Sequence, residues 1–236
     1  SGVRVVNPRD RVPVGLINSS VGGTPIEPWI APEAQRASAE LKPFLAAIDA
    51  EPAAVTSPET QKKAQTGKRK AAKRSQDSTD ATARRSNLGG LFNGKISPLI
   101  PYAIRGALWY QGEANSTPPK APYYEAQLRL LITDWRARWG YTFPFAWAQL
   151  PNFGGPGRDW PAIREAMLKT LALPQTGMGI NIDIGEEKDI HPKNKQEVGH
   201  RLALWELGTV YGKAVPATSG PLPAGHVVQG KEVAAV

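Results

Sequence analysis

Short apolar runs alternate with longer amphipathic stretches along the chain. The runs are typical of buried strands and lie at residues 12–18, 104–110, 143–150 and 177–184. Stretches with helical composition, or with apolar residues at helical spacing, follow them at residues 32–50, 123–139, 159–173 and 192–207. Strands that alternate with helices in this way predict an α/β fold, in which a parallel sheet is flanked by helices.

Polar clusters follow three of the four predicted strands. They lie at residues 19–24, 111–115 and 183–191. In an open parallel sheet, ligands bind outside the carboxyl ends of the strands. We therefore expect these three clusters to form the functional site.

Length and composition bear on the domain organisation. The chain has 236 residues, of which seven are Trp, and this is enough for one packed α/β domain. Residues 52–86 are polar, Ala-rich and basic, and we interpret them as an insertion. We expect the main domain to span residues 1–212, followed by a C-terminal tail or the start of another module at residues 213–236.

The formal net charge of +8 is concentrated in the predicted insertion. Residues 61–74 hold seven Lys and Arg side chains and no acid, so the rest of the chain is close to neutral. Such a stretch could bind nucleic acid by neutralising phosphates. No aromatic side chain interleaves these charges, which favours a solvated insertion instead.

The sequence also lacks the features of a membrane-spanning helix, of a signal peptide and of cysteine chemistry. No run approaches the ~18 to 20 apolar residues that a membrane-spanning helix requires. The first residues lack the apolar stretch of a signal peptide. Without Cys, the sequence offers no disulfide, thiolate metal site or cysteine nucleophile.

Two of the polar clusters contain groups that could stabilise negative charge. Gly22 and Gly23 permit a close backbone approach, as an oxyanion hole requires, although a structural turn explains them equally well. Gln111 ends a predicted strand, so its amide could donate a hydrogen bond from a fixed position. Glu113 could orient that amide or bind a polar substrate, or it could simply enter a turn.

His191 is the sharpest candidate for acid–base chemistry. The chain has three His, and this one follows Asp183 and Asp189 near a predicted strand end. An imidazole held by a carboxylate can take a proton from a hydroxyl nucleophile and return it to the leaving group. A helix-capping or core histidine is the alternative interpretation. We interpret His200 and His226 as structural or surface residues.

Three segments together resemble the sialate O-acetylesterases of the SGNH hydrolase superfamily. They read PVGLINSSVGGTPIEPWI at 13–30, LFNGKISPLIPYAIRGALWYQGEAN at 91–115 and DIHPKNKQEVGHRLALW at 189–205. The resemblance implies a flavodoxin-like parallel sheet flanked by helices. It also implies removal of acetyl groups from sugars through a serine acyl-enzyme, without a metal or organic cofactor. A secreted or periplasmic location would fit such a protein.

The resemblance further implies roles for individual residues. Gly22 and Gln111 would donate hydrogen bonds to the oxyanion, and His191 would be the general base. The DIHP form of this family makes Asp189 the triad acid, with Asp183 in reserve. We assign substrate contacts to Gly23 and Glu113.

The serine nucleophile of the family has no counterpart in the sequence. In this family it lies in a GQSN-type block after the first strand, and no GQSN occurs in this chain. We therefore expect a sheet that is incomplete at its N-terminal side and a nucleophile supplied by another chain or segment. Ser20 is the candidate within the chain, although its family counterpart belongs to the oxyanion loop.

Two further functions stay open at the level of sequence. A chain that keeps the cleft without the nucleophile would bind carbohydrate without hydrolysing esters. Paired carboxylates suffice for glycoside hydrolysis, so Glu113 with Asp183 or Asp189 would also suit a glycosidase.

Overall fold

The computed structural model describes residues 4–6, 13–50 and 88–235. The predicted insertion at 52–86 lies outside the described residues. Strands β1 to β7 span Arg4–Val6, Pro13–Gly15, Ala107–Trp109, Phe145–Ala148, Thr176–Gly179, His226–Gln229 and Glu232–Ala235. Helices α1 to α5 span Pro32–Ala37, Lys42–Ala50, Tyr124–Trp139, Trp160–Thr170 and Lys195–Trp205.

The central sheet has the order β3-β4-β5, and both strand pairs are parallel. Leu108 is paired with Ala146, which in turn is paired with Gly177. All four residues of β4 are buried, as expected for the middle strand of a sheet that is covered on both faces. The apolar run at 143–150, predicted to be a strand, therefore forms the centre of the sheet.

Helices cover both faces of this sheet. Trp109, Phe145 and Met178 belong to a core that includes buried side chains of α3 and α4. On the opposite face, Ala146 and Ala148 join a smaller core with buried side chains of α5. The predicted α/β fold, with a parallel sheet flanked by helices, is confirmed.

The helix α3 shows how local sequence sets an element. Its apolar residues at helical spacing, Leu128, Leu131 and Ile132, are completely buried. Gly140 ends the helix with a φ of +78° and donates its N–H to the carbonyl of Arg136. This left-handed position favours glycine, and it follows the end at residue 139 that the sequence predicted.

The α5 helix approaches β5 closely because the strand carries glycine there. A Cβ added at Gly177 would collide with the indole ring of Trp205. Any larger residue would push the helix away from the sheet. The short glycine-containing strand is thus matched to the bulky tryptophan that covers it.

The prediction of a buried strand at 12–18 is wrong for the residues that the structure describes. Only Pro13–Gly15 is a strand, and it pairs antiparallel with β1 and not with the central sheet. The side chains of Leu16 and Ile17 are each 57% exposed. The reason is that no described element covers this apolar run.

At the C-terminal end, β6 and β7 form an antiparallel hairpin. Gly220 lies against the central domain, since a Cβ there would be 3.1 Å from Cβ of Ile180. The predicted division at residue 212 stays a prediction. Within the described ranges, every helix is too short or too polar to cross a membrane.

Candidate active site

Two loops at the carboxyl ends of the central strands carry the predicted site residues. The loop after β3 holds Gln111 and Glu113, and the loop between β5 and α5 holds Asp183, Asp189 and His191. A third segment, residues 21–27, is hydrogen-bonded to the first loop over a sequence separation of nearly 90 residues. Two of the three predicted clusters are thus hydrogen-bonded to each other, and the third follows the carboxyl end of a strand of the same sheet.

The His191 side chain is 83% exposed and is accompanied by Asp189. The backbone N–H of His191 donates to Oδ1 of Asp189 over 2.9 Å, and Nδ1 of the ring lies 3.6 Å from the same oxygen. The second distance is longer than a hydrogen bond, so the contact to the ring is electrostatic.

The reserve acid Asp183 has another partner. Arg201 on α5 binds both of its carboxylate oxygens, over 2.5 and 2.8 Å, and these hydrogen bonds hold the pKa of Asp183 below its ordinary value. Arg201 also donates to Oε1 of Glu197 and to the carbonyl of Ile180. Of the two candidate acids, Asp189 is the one that contacts His191.

The Gln111 side chain is buried, and all its polar atoms are engaged. Its Nε2 donates to the carbonyl of Thr24 over 3.1 Å and to Oδ1 of Asn115 over 2.7 Å. The Tyr124 hydroxyl lies 2.8 Å from the backbone carbonyl oxygen of Gln111 and 3.1 Å from the side-chain Oε1 of the same residue. Both amide hydrogens thus point to acceptors within the protein.

The glycine turn faces open space. Gly23 has a φ of +67°, in the left-handed region that favours glycine. Both Gly22 and Gly23 are exposed, and a Cβ added at Gly22 would meet no atom within 4 Å. A ligand can therefore approach this backbone closely.

Ser20 is exposed and precedes this turn. Its backbone N–H donates to Oδ1 of Asn18 over 3.1 Å. Among the described residues, no hydrogen bond joins a serine hydroxyl to the His191 ring.

Glu113 in the loop after β3 interacts electrostatically with Lys195 and Tyr110. Burial raises the pKa of the Glu113 carboxyl, while positive charge on Lys195 and on His191 acts in the opposite direction. The ammonium of Lys195 lies 3.3 Å from the Tyr110 hydroxyl and 4.6 Å from the centre of its ring. Burial, with the Glu113 charge adding to it, raises the pKa of Tyr110 to about 12.

Sequence reasoning missed three residues of this region. They are Lys195 and Tyr110, which contact each other, and Glu27, which accepts a hydrogen bond from Asn115. Tyr110 directly precedes the predicted residue Gln111, and Lys195 lies four residues after His191, so closeness in sequence was the available signal. Glu27 lies three residues after the predicted cluster at 19–24 and inside the segment at 13–30 that resembles the family, so the same signal was present there. Within the part of the chain that the structure describes, no three His, Asp or Glu side chains are grouped to hold a metal ion.

A family model and several curated relatives match this chain. The family model, described as "Carbohydrate esterase, sialic acid-specific acetylesterase", matches residues 93–206. The human sialate O-acetylesterase is 29% identical over 232 residues, covering 89% of this chain and 38% of that protein. The sialate O-acetylesterase of Rattus norvegicus is 28% identical over 244 residues, covering 89% of this chain and 42% of that protein.

A solved structure has a similar fold. It is the crystal structure of a carbohydrate acetylesterase from Xanthomonas citri, which superposes with a TM-score of 0.72 and 32% sequence identity. The match covers 94% of this chain and 42% of that one. The chain thus spans about two fifths of the length of these relatives. By sequence and by fold, it is similar to the sialate O-acetylesterases among the carbohydrate esterases.

Proposed function

We propose that this chain provides the histidine side of the active site of a carbohydrate O-acetylesterase. The observation that carries the proposal is the exposed His191 ring beside Asp189, in a loop that follows the carboxyl end of β5. The general base is His191, and Asp189 orients its ring and stabilises the imidazolium that forms. Similarity to carbohydrate acetylesterases supports the substrate class, an acetylated sugar.

The reaction proceeds through a serine acyl-enzyme. His191 takes the proton of a serine hydroxyl as its oxygen attacks the acetyl carbonyl, and then protonates the sugar oxygen that leaves. A water molecule, deprotonated by the same histidine, hydrolyses the acetyl-serine ester and releases acetate. Glu113 and Gly23 line the space for the sugar.

The developing oxyanion accepts hydrogen bonds from the backbone N–H of Gly22 and from the side-chain amide of Gln111. The open space in front of Gly22 supports its part in this step. In the described conformation both amide hydrogens of Gln111 are engaged. Its donation to an oxyanion therefore requires exchange of the longer bond, the one to the carbonyl of Thr24.

The serine is supplied by another chain or segment, or by Ser20. These two sources differ in what a serine-directed fluorophosphonate labels. Labelling of the isolated chain that disappears in Ser20→Ala would identify Ser20. Labelling of a second polypeptide only in the presence of this chain would identify an external nucleophile.

The proposal is tested by ester turnover in matched histidine variants. We expect His191→Ala to abolish release of acetate from an acetylated sugar, because the variant lacks the base that activates the serine. His200→Ala, an exposed position on α5, is the control and should retain wild-type turnover. Equal turnover by the wild-type protein and His191→Ala would refute the assignment of the base.

A second function is carbohydrate binding without hydrolysis. It is favoured by the finding that, in the described ranges, no serine hydroxyl is bonded to His191. Saturable binding of an acetylated sugar, measured by calorimetry, without acetate release or fluorophosphonate labelling would establish this function in place of the esterase.

A further inference from the structure

Asn115 is a completely buried side chain that joins three segments of the chain. Its Oδ1 accepts the backbone N–H of Ile26 over 2.8 Å and the amide of Gln111 over 2.7 Å. Its Nδ2 donates to Oε1 of Glu27 over 3.1 Å, and the ammonium of Lys120 lies 3.4 Å from the same oxygen. Glu27 is itself only 3% exposed, so the bond from Asn115 is a buried charge-assisted hydrogen bond.

The same network continues into the segment that carries the glycine turn. Gln111 donates to the carbonyl of Thr24, and the Thr24 hydroxyl donates to the carbonyl of Val21 over 2.9 Å. The indole N–H of Trp29 donates to that hydroxyl over 3.0 Å. The residues on both sides of Gly22 and Gly23 are thus fixed from the protein interior. We call Asn115, Glu27, Gln111 and Thr24 together the Asn115 clasp.

We propose that Asn115 and Glu27 are positioning residues. They hold the Gly22–Gly23 turn in place as an oxyanion donor, and Asn115 keeps one hydrogen of the Gln111 amide while the other is exchanged from Thr24 to the oxyanion. Neither side chain needs to touch the substrate. The inference rests on the proposed function in one respect, namely that this turn and this amide face the developing oxyanion. Pre-organised donors require such support, because a small displacement weakens their effect on the transition state.

The hydrogen bond between Asn115 and Glu27 can be tested by exchanging its donor and its acceptor. Asn115→Asp places two carboxylates side by side in a buried site, where they repel each other. Adding Glu27→Gln restores a hydrogen bond in the reverse direction, from the amide introduced at position 27 to the carboxylate introduced at position 115, and retains the net charge. The buried Nε2 of Gln127, which lacks a hydrogen-bond partner, can turn towards the new carboxylate.

The experiment compares the wild type, Asn115→Asp, the double variant and Thr170→Val. Thr170 is a fully buried residue in α4 whose hydroxyl bonds to the carbonyl of Ala166, so its change removes a buried hydroxyl outside the clasp. The first readout is the NMR order parameter of the Gly22 and Gly23 amides. The second is kcat and KM for an acetylated sugar.

The clasp predicts a rigid turn in the wild type, with order parameters of about 0.85, and values below about 0.6 in Asn115→Asp. We expect kcat to fall about 10- to 100-fold with KM changed less than about twofold, since the donors act on the transition state. The double variant should recover both values to within about twofold, and Thr170→Val should change neither.

Two results would overturn the inference. One is a turn that is as mobile in the wild type as in Asn115→Asp. The other is a double variant that regains thermal stability but neither order parameter nor kcat, since the pair would then be purely structural. If Asn115→Asp does not fold, Glu27→Met removes the acceptor alone and should lower the same order parameters. If the wild type shows no turnover, the proposed function fails for this chain, while the order parameters still decide the role of the clasp.

Discussion

At Gly112 the backbone adopts a φ of +153°, in a region that other residues rarely occupy. A Cβ there would also lie 3.1 Å from Cγ2 of Ile163 and from Cε of Met167 on α4. The glycine between Gln111 and Glu113 therefore serves both conformation and packing. It lets the chain turn sharply after β3, so that the two flanking side chains reach different surroundings.

Gly112→Ala should lower the free energy of unfolding by about 1–3 kcal/mol, because it combines backbone strain with a tight contact. Gly199→Ala is the matched control. Gly199 is exposed within α5 and has open space around it, so alanine there should stabilise the protein by about 0.5–1 kcal/mol. Urea unfolding of both variants measures the difference, and a neutral Gly112→Ala would contradict the conformational requirement.

Glu113 should make the stability of the protein depend on pH. Because burial raises its folded-state pKa, ionisation opposes folding as pH rises from the unfolded-state pKa of about 4.3 through the raised value. Glu113→Gln removes this cost. Its Tm should exceed that of the wild type at about pH 7 and equal it below about pH 4. Glu165→Gln, at an exposed position of α4, should show no such divergence between the two pH values.

At the scale of elements, the start of α5 determines where the His191 loop ends. Asn194 lies three residues after His191. Its side chain caps the helix by accepting a hydrogen bond from the backbone N–H of Glu197 over 3.1 Å. Lys193 is tied to Glu186 in the same loop over 3.1 Å. The loop thus has one fixed helix terminus and one internal ion pair, although His191 itself is exposed.

Asn194→Ala should cost about 0.5–2 kcal/mol of stability, because an N-terminal amide of α5 loses its acceptor. Asn194→Asp keeps the acceptor and adds a favourable charge at the helix N-terminus, so it should retain wild-type stability. Thermal unfolding measured by circular dichroism separates the two variants. If both lose the same stability, the cap is not what holds the start of the helix.

At the scale of the whole molecule, β3 is an edge strand of the described central sheet. Parallel strands are ordinarily covered on both sides, yet the Leu108 side chain in the middle of β3 is 52% exposed. Exposed apolar strand edges promote pairing with other chains. This edge is consistent with a chain that spans only about two fifths of the length of its relatives.

Leu108→Lys should reduce concentration-dependent self-association, because edge lysines oppose strand pairing. Ile182→Lys is the control, since Ile182 is 49% exposed but lies in the loop after β5 and not on a strand edge. Sedimentation velocity over a range of concentrations compares the two. Equal effects would show that general surface hydrophobicity, and not the edge of β3, causes any association.

Much of the fold could be predicted from local sequence. The periodicity of 123–139 and the glycine after it defined α3 almost to the residue, because helix formation and capping depend on near neighbours. The apolar runs around β3, β4 and β5 located those strands, although each strand is shorter than predicted. The run at 12–18 failed because burial depends on what covers an apolar segment, and its own composition does not reveal that.

By itself, the sequence determined the α/β fold, the resemblance to sialate O-acetylesterases and the pairing of His191 with a nearby carboxylate, since these follow from short-range patterns and contiguous motifs. The family resemblance ranked Asp189 before Asp183, but only the tertiary structure showed that Asp189 contacts His191 and that Asp183 is bound to Arg201. Only the tertiary structure also joined Asn115 to Glu27 across 88 positions. Such contacts depend on how the parallel sheet brings distant loops to one edge, and the geometry of that edge is set by packing of the whole domain.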